Sequence, residues 1–389
     1  MQAGVSYESR PGTHTLSLSV PEAYADWFHL SPHTFLTASV MAALWHGEPR
    51  VALDAPVDVQ LTERLGMAMR HMRRAHRFAG PPPRIEAPPV LSAWREPAGA
   101  VTGIFLSGGV DSTAALYRNT ERHPPGDPRR ASVAFLAHGL DVGEPNKIDR
   151  PDVWALSIER LDALCRSLGV TLVPVCVNFR QLEKHWHFYA EWQFASLLAA
   201  IAHAAGKRLF RCIIAPDNDI EHTQDPHGSH PWLNSYFGTD TLEIVTGDME
   251  QFSRLDKIRM LARHPARLDA LRVCWDAAAI PAGHLNCGRC AKCVRTMVEF
   301  LACGQPDGLR AFPVDTVTPD MLKVMNIPSV GELEYLAELP APLEAAGRPD
   351  LARSIRCKVG LFHLAQCLQL DRLRPVAKKL LKPVQPDTP

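Results

Sequence analysis

Six consecutive residues, Ser107, Gly108, Gly109, Val110, Asp111 and Ser112, lie between the apolar run VTGIFL and a helical pattern that begins within the motif. Adjacent glycines let the backbone turn tightly and bring its N–H groups close to a ligand, where a Cβ would obstruct. A helix starting there adds unpaired N–H donors and the positive end of its dipole, so the segment predicts an anion site. The hydroxyls of Ser107 and Ser112 are further donors to phosphate oxygens. The motif lacks the lysine of GxxxxGK[ST] and is not a GxGxxG turn, which sets aside γ-phosphate transfer on a Walker loop and dinucleotide binding.

A second constellation is Cys274, Cys287, Cys290 and Cys293 in CWDAAAIPAGHLNCGRCAKC. The last three stand close enough to meet one ion, and the distant first can close a tetrahedron. Four thiolates leave no open position, so structural zinc is the expectation. An iron–sulfur cluster also uses four cysteines, and a redox thiol pair is a further use of the same residues. The glycine after Cys287 suits a knuckle whose backbone donates to a metal-bound sulfur.

The elements that position these residues alternate from Val101 onward: strand 101–106, helix 112–121, strand 131–137, helix 152–168, strand 170–177, helix 186–205 and strand 209–215. This predicts an α/β fold, doubly wound around a mostly parallel sheet. Ligands of such sheets lie beyond the carboxyl ends of the strands. His138, Gly139 and Asp141 follow the second strand there, as candidates for the adenosine side of a nucleotide. The loop 217–238 overhangs the same edge, and its Asp217, His222, His230 and Trp232 offer acid–base, hydrogen-bonding and stacking groups for a substrate. Upstream, THTLSLSV at 13–20 predicts a half-buried strand, and 34–45 and 58–77 predict helices. GPPPRIEAPP at 80–89 suits neither helix nor central strand. The expected organisation is an α+β accessory region at 1–98, a catalytic domain with the four-cysteine site at 99–305, and a helical region at 306–389.

The 389 residues carry 42 basic and 42 acidic side chains, so no global field favours a polyanion, and nucleic acid is a possible but unfavoured partner. The arginines 70, 73, 74 and 77 and the basic tail, including Arg353, Arg356, Lys358, Arg372, Arg374, Lys378, Lys379 and Lys382, read as solvated faces. There is no signal-like start and no apolar run of membrane-spanning length, so the expectation is a cytoplasmic protein without a membrane partner. Self-association is left open.

SGGVDS resembles, residue for residue, the SGGxDS signature of the PP-loop ATP pyrophosphatase superfamily. The order of this loop, a basic segment SRLDKIRMLA, a cysteine and then CGxCxxC followed by arginine is similar to the QueC-like, 7-cyano-7-deazaguanine synthase branch over roughly residues 101–303. The resemblance implies cleavage of ATP between its α- and β-phosphates, with Mg²⁺ and loop donors neutralising the departing pyrophosphate. By it Ser107, Gly108, Gly109, Val110, Asp111, Ser112 and Thr113 hold the nucleotide, with Asp111 and Ser112 in catalytic roles. Lys257 becomes a catalytic contact to phosphate or substrate, and Arg295 a substrate contact. The implied cofactors are ATP, Mg²⁺ and Zn²⁺. The implied activity is AMP-forming ligation: adenylylation of a carboxylate or amide oxygen of a small molecule or modified peptide, then displacement of AMP by nitrogen or sulfur. A tRNA-thiolating enzyme and a non-catalytic nucleotide sensor are the other two readings.

Overall fold

The computed structural model describes residues 1–91, 99–217, 219–220, 227–325 and 330–367. A seven-stranded sheet forms its centre. Its strands are β1 (Gln2–Ser6), β2 (Thr13–Ser19), β3 (Val101–Phe105), β4 (Ala131–His138), β5 (Thr171–Val177), β6 (Leu209–Ile213) and β7 (Glu243–Val245), in the order β1-β2-β5-β4-β3-β6-β7. From β5 to β7 every neighbouring pair is parallel, and β1 and β2 are added antiparallel at the β5 edge. The chain steps outward from β3 to β4 and β5, then returns past β3 to β6 and β7. The order therefore reverses between β3 and β6, where an open parallel sheet leaves a crevice at its carboxyl edge.

Alternation along the strands sends side chains to both faces. Ile104, Ala134, Leu136, Leu172 and Ile213 join one core with helices α3 (Val110–Arg122) and α4 (Pro151–Ser167). Phe105, Phe135, Val173, Val175 and Ile244 join the other, under α1 (Pro32–His46), α2 (Val59–Ala75) and α5 (Phe194–Ala204). This is the α/β, mostly parallel arrangement expected. The residues before Val101 contribute two strands to the sheet and two helices to its core, and helix Pro32–His46 is apolar nearly all round because it is buried on nearly all sides from Thr34 to Leu44.

Two local features differ from expectation. The continuous helix predicted over 186–205 is broken into Trp186–Phe188, a π-helical stretch Tyr189–Gln193, and α5. The Gly228 carbonyl accepts from the Ala195 N–H at 2.7 Å, and Gly228 packs so closely on Ala190 that a Cβ there would strike its carbonyl. An inserted loop of this kind is an identifiable cause of such a break. In the proline-rich stretch, Arg84–Glu86 pairs with Arg50–Ala52 and Pro89–Val90 with Val57–Asp58, both as separate two-stranded sheets, as suits prolines that cannot join a central ladder. After Cys303 the described elements are helical, ending in α8 (Val330–Ala337), α9 (Pro340–Ala345) and α10 (Pro349–Cys367), with α6 (Arg254–Ala262) and α7 (Ala291–Ala302) before them. The basic residues from Arg372 onward lie outside the described residues. No helix among those described is long and apolar enough to cross a membrane.

Candidate functional site

The loop 107–112 leaves β3 at the switch point and enters α3, whose N-cap is Gly109. Gly108 has φ +78°, and a Cβ there would come within 3.0 Å of the Ala270 carbonyl oxygen and 3.4 Å of the Arg272 Cβ. Glycine is required at this position on both counts. The Ser107 and Ser112 hydroxyls stand 3.2 Å apart, Ser112 Oγ accepts from the Ser107 N–H, and Ser107 Oγ accepts from the Gly109 N–H. The N-cap makes no side-chain hydrogen bond to the first turn of α3. Its first N–H groups are left for another acceptor.

Asp111 faces a network rather than open space. Its Oδ1 accepts from Lys257 Nζ and its Oδ2 from Arg254 Nη1, each at 3.1 Å. Burial pushes its carboxyl up, but Lys257 and then Arg254 outweigh that and hold it below the ordinary range. Both cations come from α6, one helical turn apart, which puts them on one face. The helix starts there because Ser253 and Asp256 form a capping box. Two cations in a first turn oppose the helix dipole, and acidic partners answer them. Lys257 is fully buried and also donates to the carbonyls of Pro216 and Asp217, at 2.9 and 3.0 Å. Arg254 reaches the fully buried Glu299 at 3.2 Å, which in turn stands 3.5 Å from Arg295. Lys257 thus ties the ends of β3 and β6 together.

The second motif assembles as its spacing predicts. The Cys274 and Cys290 sulfurs are 3.8 Å apart, those of Cys287 and Cys293 are 3.9 Å apart, and all four lie within 4.8 Å of one another. Four sulfurs each about 2.3 Å from one tetrahedral zinc stand about 3.8 Å apart, so the four cysteines form a site that can hold zinc. Sulfurs at the corners of a four-iron cluster must surround a body of several atoms and cannot lie this close. The N–H groups of Arg289 and Cys290 donate to Cys287 Sγ at 3.5 and 3.2 Å across Gly288, which has φ +69°. Hydrogen bonding to Cys274 lowers the Cys290 thiol below its ordinary range.

One residue joins the two motifs. Asn286, fully buried, donates to the carbonyls of Leu271 and Ala311 at 2.7 and 2.9 Å and accepts from the N–H groups of Val273 and Cys274. It holds 271–274 extended against the loop, where the Arg272 N–H donates to the Gly108 carbonyl at 2.8 Å.

A cavity of about 350 Å³ opens between loop and knuckle. Its polar lining includes Ser107, Asp111, Ser112, Arg254, Arg272 and Arg295, and its apolar lining Phe135, Leu140, Trp186, Tyr189 and Phe194. The Tyr189 hydroxyl is buried without a hydrogen-bond partner among the described residues, and burial pushes its pKa well up. Arg295 lies 5.0 Å over the ring of Tyr335, a residue of α8 that also lines the cavity. Cys274, Trp275 and Lys292 make the knuckle part of the wall.

Of the residues singled out above, Ser107, Gly109, Val110, Asp111, Ser112, Asp141, Asp217 and Arg295 line this cavity. His138 and Gly139 do not. His138 lies 3.4 Å from Asp149, and Gly139, at φ +92°, is pressed against the Val177 carbonyl. Thr113 is buried in α3. His230 is fully buried as the cap of the short helix Pro231–Asn234, while Trp232 is 60% exposed, and neither reaches the cavity. Asp217 lies 3.4 Å from His227. His222 lies outside the described residues. Sequence reading missed Arg254, Arg272, Asn286, Glu299 and Tyr335. Arg254 had a signal, since it sits three residues before Lys257 in the same basic segment.

Compared with known proteins, the chain matches no protein-family model, no curated protein and no solved structure.

Proposed function

We propose that this chain is an ATP-dependent enzyme of the PP-loop type. It splits ATP between the α- and β-phosphates and passes AMP to a carboxylate or amide oxygen of a small molecule or modified peptide. A nitrogen or sulfur nucleophile then displaces AMP. The observation that carries this reading is the placement of SGGVDS at the carboxyl end of β3, beside the switch point, with donors facing a cavity large enough for a substrate.

In this reading the hydroxyls of Ser107 and Ser112 and the first N–H groups of α3 hold the departing pyrophosphate. Asp111 positions Lys257 and Arg254, and with them the loop. Both Asp111 oxygens already meet those cations, so Mg²⁺ would arrive largely on phosphate oxygens, as is usual for this ion. When bound it neutralises charge on the leaving group. Asp141 and Asp217 are the other carboxylates of the cavity. The aromatic lining residues suit a planar ring stacked among them. The knuckle, read as structural zinc, keeps one cavity wall in place.

A tRNA-thiolating reaction needs a reactive thiol at the site. Among the described residues the cavity has no cysteine besides Cys274, and burial raises the thiols of Cys165 and Cys212. The adenylylating reading therefore has the better support.

The test is exchange of labelled pyrophosphate into ATP with pools of candidate carboxylate and amide acceptors. Ser112→Ala is expected to lower the rate about a hundredfold, the scale of one lost transition-state donor, with little change in melting temperature. Unchanged exchange in that variant would remove the loop from the chemistry.

A further inference from the structure

Three arginines line the cavity: Arg254, Arg272 and Arg295. Two of them are answered by Glu299, and Arg254 by Asp111 as well. Arg272 is different. Its backbone N–H is used by the Gly108 carbonyl, but among the described residues its guanidinium makes no hydrogen bond and no ion pair, and its Nε is buried without a partner. The backbone on either side is fixed by Asn286, so the side chain departs from a rigid point beside the loop. Its Nε is desolvated, and the acidic groups that act on the guanidinium, Asp141 and Cys274, do so without a hydrogen bond to it. A protein retains such an open fork where a ligand supplies the partner oxygens. A guanidinium presents a planar fork that suits the two oxygens of a carboxylate or phosphate.

We infer that Arg272 is a second anion subsite, receiving an oxyanion that is not the pyrophosphate held by the loop. The inference rests on the PP-loop reading, in which the loop is already occupied by pyrophosphate. The oxyanion is then either the α-phosphate of the nucleotide or the carboxylate of the acceptor. By holding that oxyanion the fork brings the acceptor oxygen and the α-phosphorus together at the mouth of the loop, as the bond to the departing pyrophosphate breaks. Arg272 is thereby a residue that touches substrate, and with the acceptor carboxylate as its partner it selects negatively charged acceptors over neutral ones of the same shape.

The experiment is calorimetric titration of the zinc-loaded full chain with three probes: magnesium pyrophosphate, AMP, and benzoate in the presence of saturating AMP. Arg272→Gln should leave pyrophosphate affinity within about twofold, because the loop donors are untouched. It should weaken AMP by about tenfold or more if the α-phosphate is the partner, or benzoate by as much with AMP unchanged if a carboxylate is, the scale of a lost charge-assisted fork. Arg272→Lys should restore part of the loss, and Arg272→Met should melt no lower than the parent. Wild-type binding of pyrophosphate combined with unaltered AMP and benzoate affinities in Arg272→Gln would overturn the subsite and leave the loop reading standing. A lower melting temperature with weakened zinc retention and unaltered affinities would overturn it too, assigning Arg272 to the tetrathiolate. Failure of the wild-type chain to bind pyrophosphate at all would remove the loop reading and the subsite with it.

Discussion

Two arrangements of charge meet at one cavity and are built in opposite ways. Asp111, Lys257, Arg254 and Glu299 form a closed set in which every charge has an opposite partner within 3.2 Å. Arg272, in the lining of the same cavity, has none at that distance among the described residues. A complete network holds elements in place, since each member lost strands another. An incomplete one is finished by something from outside. The contrast separates scaffold from binding surface without reference to any motif.

The largest effect should come from the scaffold's outer support. Removing the metal, or making Cys293→Ser, should abolish retention of about one zinc per chain and unfold the 271–303 wall, because metal binding energy is folding energy, about 10 kcal/mol or more for structural zinc peptides. Elemental analysis and protease sensitivity read this out. A chain that stays folded and protease-resistant without metal would show that the knuckle does not support the cavity. Next comes the network itself. Glu299→Gln leaves Arg254 half-answered in a dry site and should cost about 3–5 kcal/mol in denaturant unfolding. Less than about 1 kcal/mol would mean that the network is not the scaffold.

A smaller effect is expected on the opposite face of the sheet, where charge is avoided instead of paired. His203 is buried, its Nε2 meets the Phe237 carbonyl at 2.8 Å, and burial lowers its pKa from 6.5 to about 3, with neighbouring His33 acting in the same direction. Its folded pKa lies below its unfolded one, so the unfolded chain takes up a proton first as pH falls. Its contribution to stability is therefore fully present above about 6.5 and is lost progressively down to about 3. The maximum slope is about 1.4 kcal/mol per pH unit for one proton. His29 and His33 are lowered too, chiefly by burial, so the three add in direction, whereas Asp58 opposes the shifts of His33 and His203. Replacing His203 with glutamine should flatten the acid limb. A limb of unchanged slope would assign the acid loss to other groups.

What was legible in the sequence follows from locality. SGGVDS and CGRCAKC are short runs in which one turn of backbone sets the geometry, so the strand-to-helix turn and the grouping of three of the four thiols were readable locally, and Cys274 joins them from across twelve intervening residues. The strands and helices around them announce themselves by periodicity. Arg272 and Glu299 were not readable. They are ordinary charged residues in unremarked stretches, and only tertiary packing leaves one unanswered and buries the other. The substrate loop misled for a related reason: histidine and tryptophan types said what His230 and Trp232 can do, while the chain path put one inside a cap and the other in solvent. The break in the helix over 186–205 comes from Gly228, some thirty residues away in sequence, and no local propensity records it.

The central claim, cleavage of ATP at the α–β bond by the loop 107–112, is tested most directly by the identity of the nucleotide product. The zinc-loaded chain is incubated with MgATP and an acceptor pool that supports turnover, and nucleotides and phosphates are resolved. The account predicts AMP and pyrophosphate in equal amounts, both lost in Gly109→Val, whose side chain would enter the space the phosphates need. ADP and orthophosphate as the only products would contradict it.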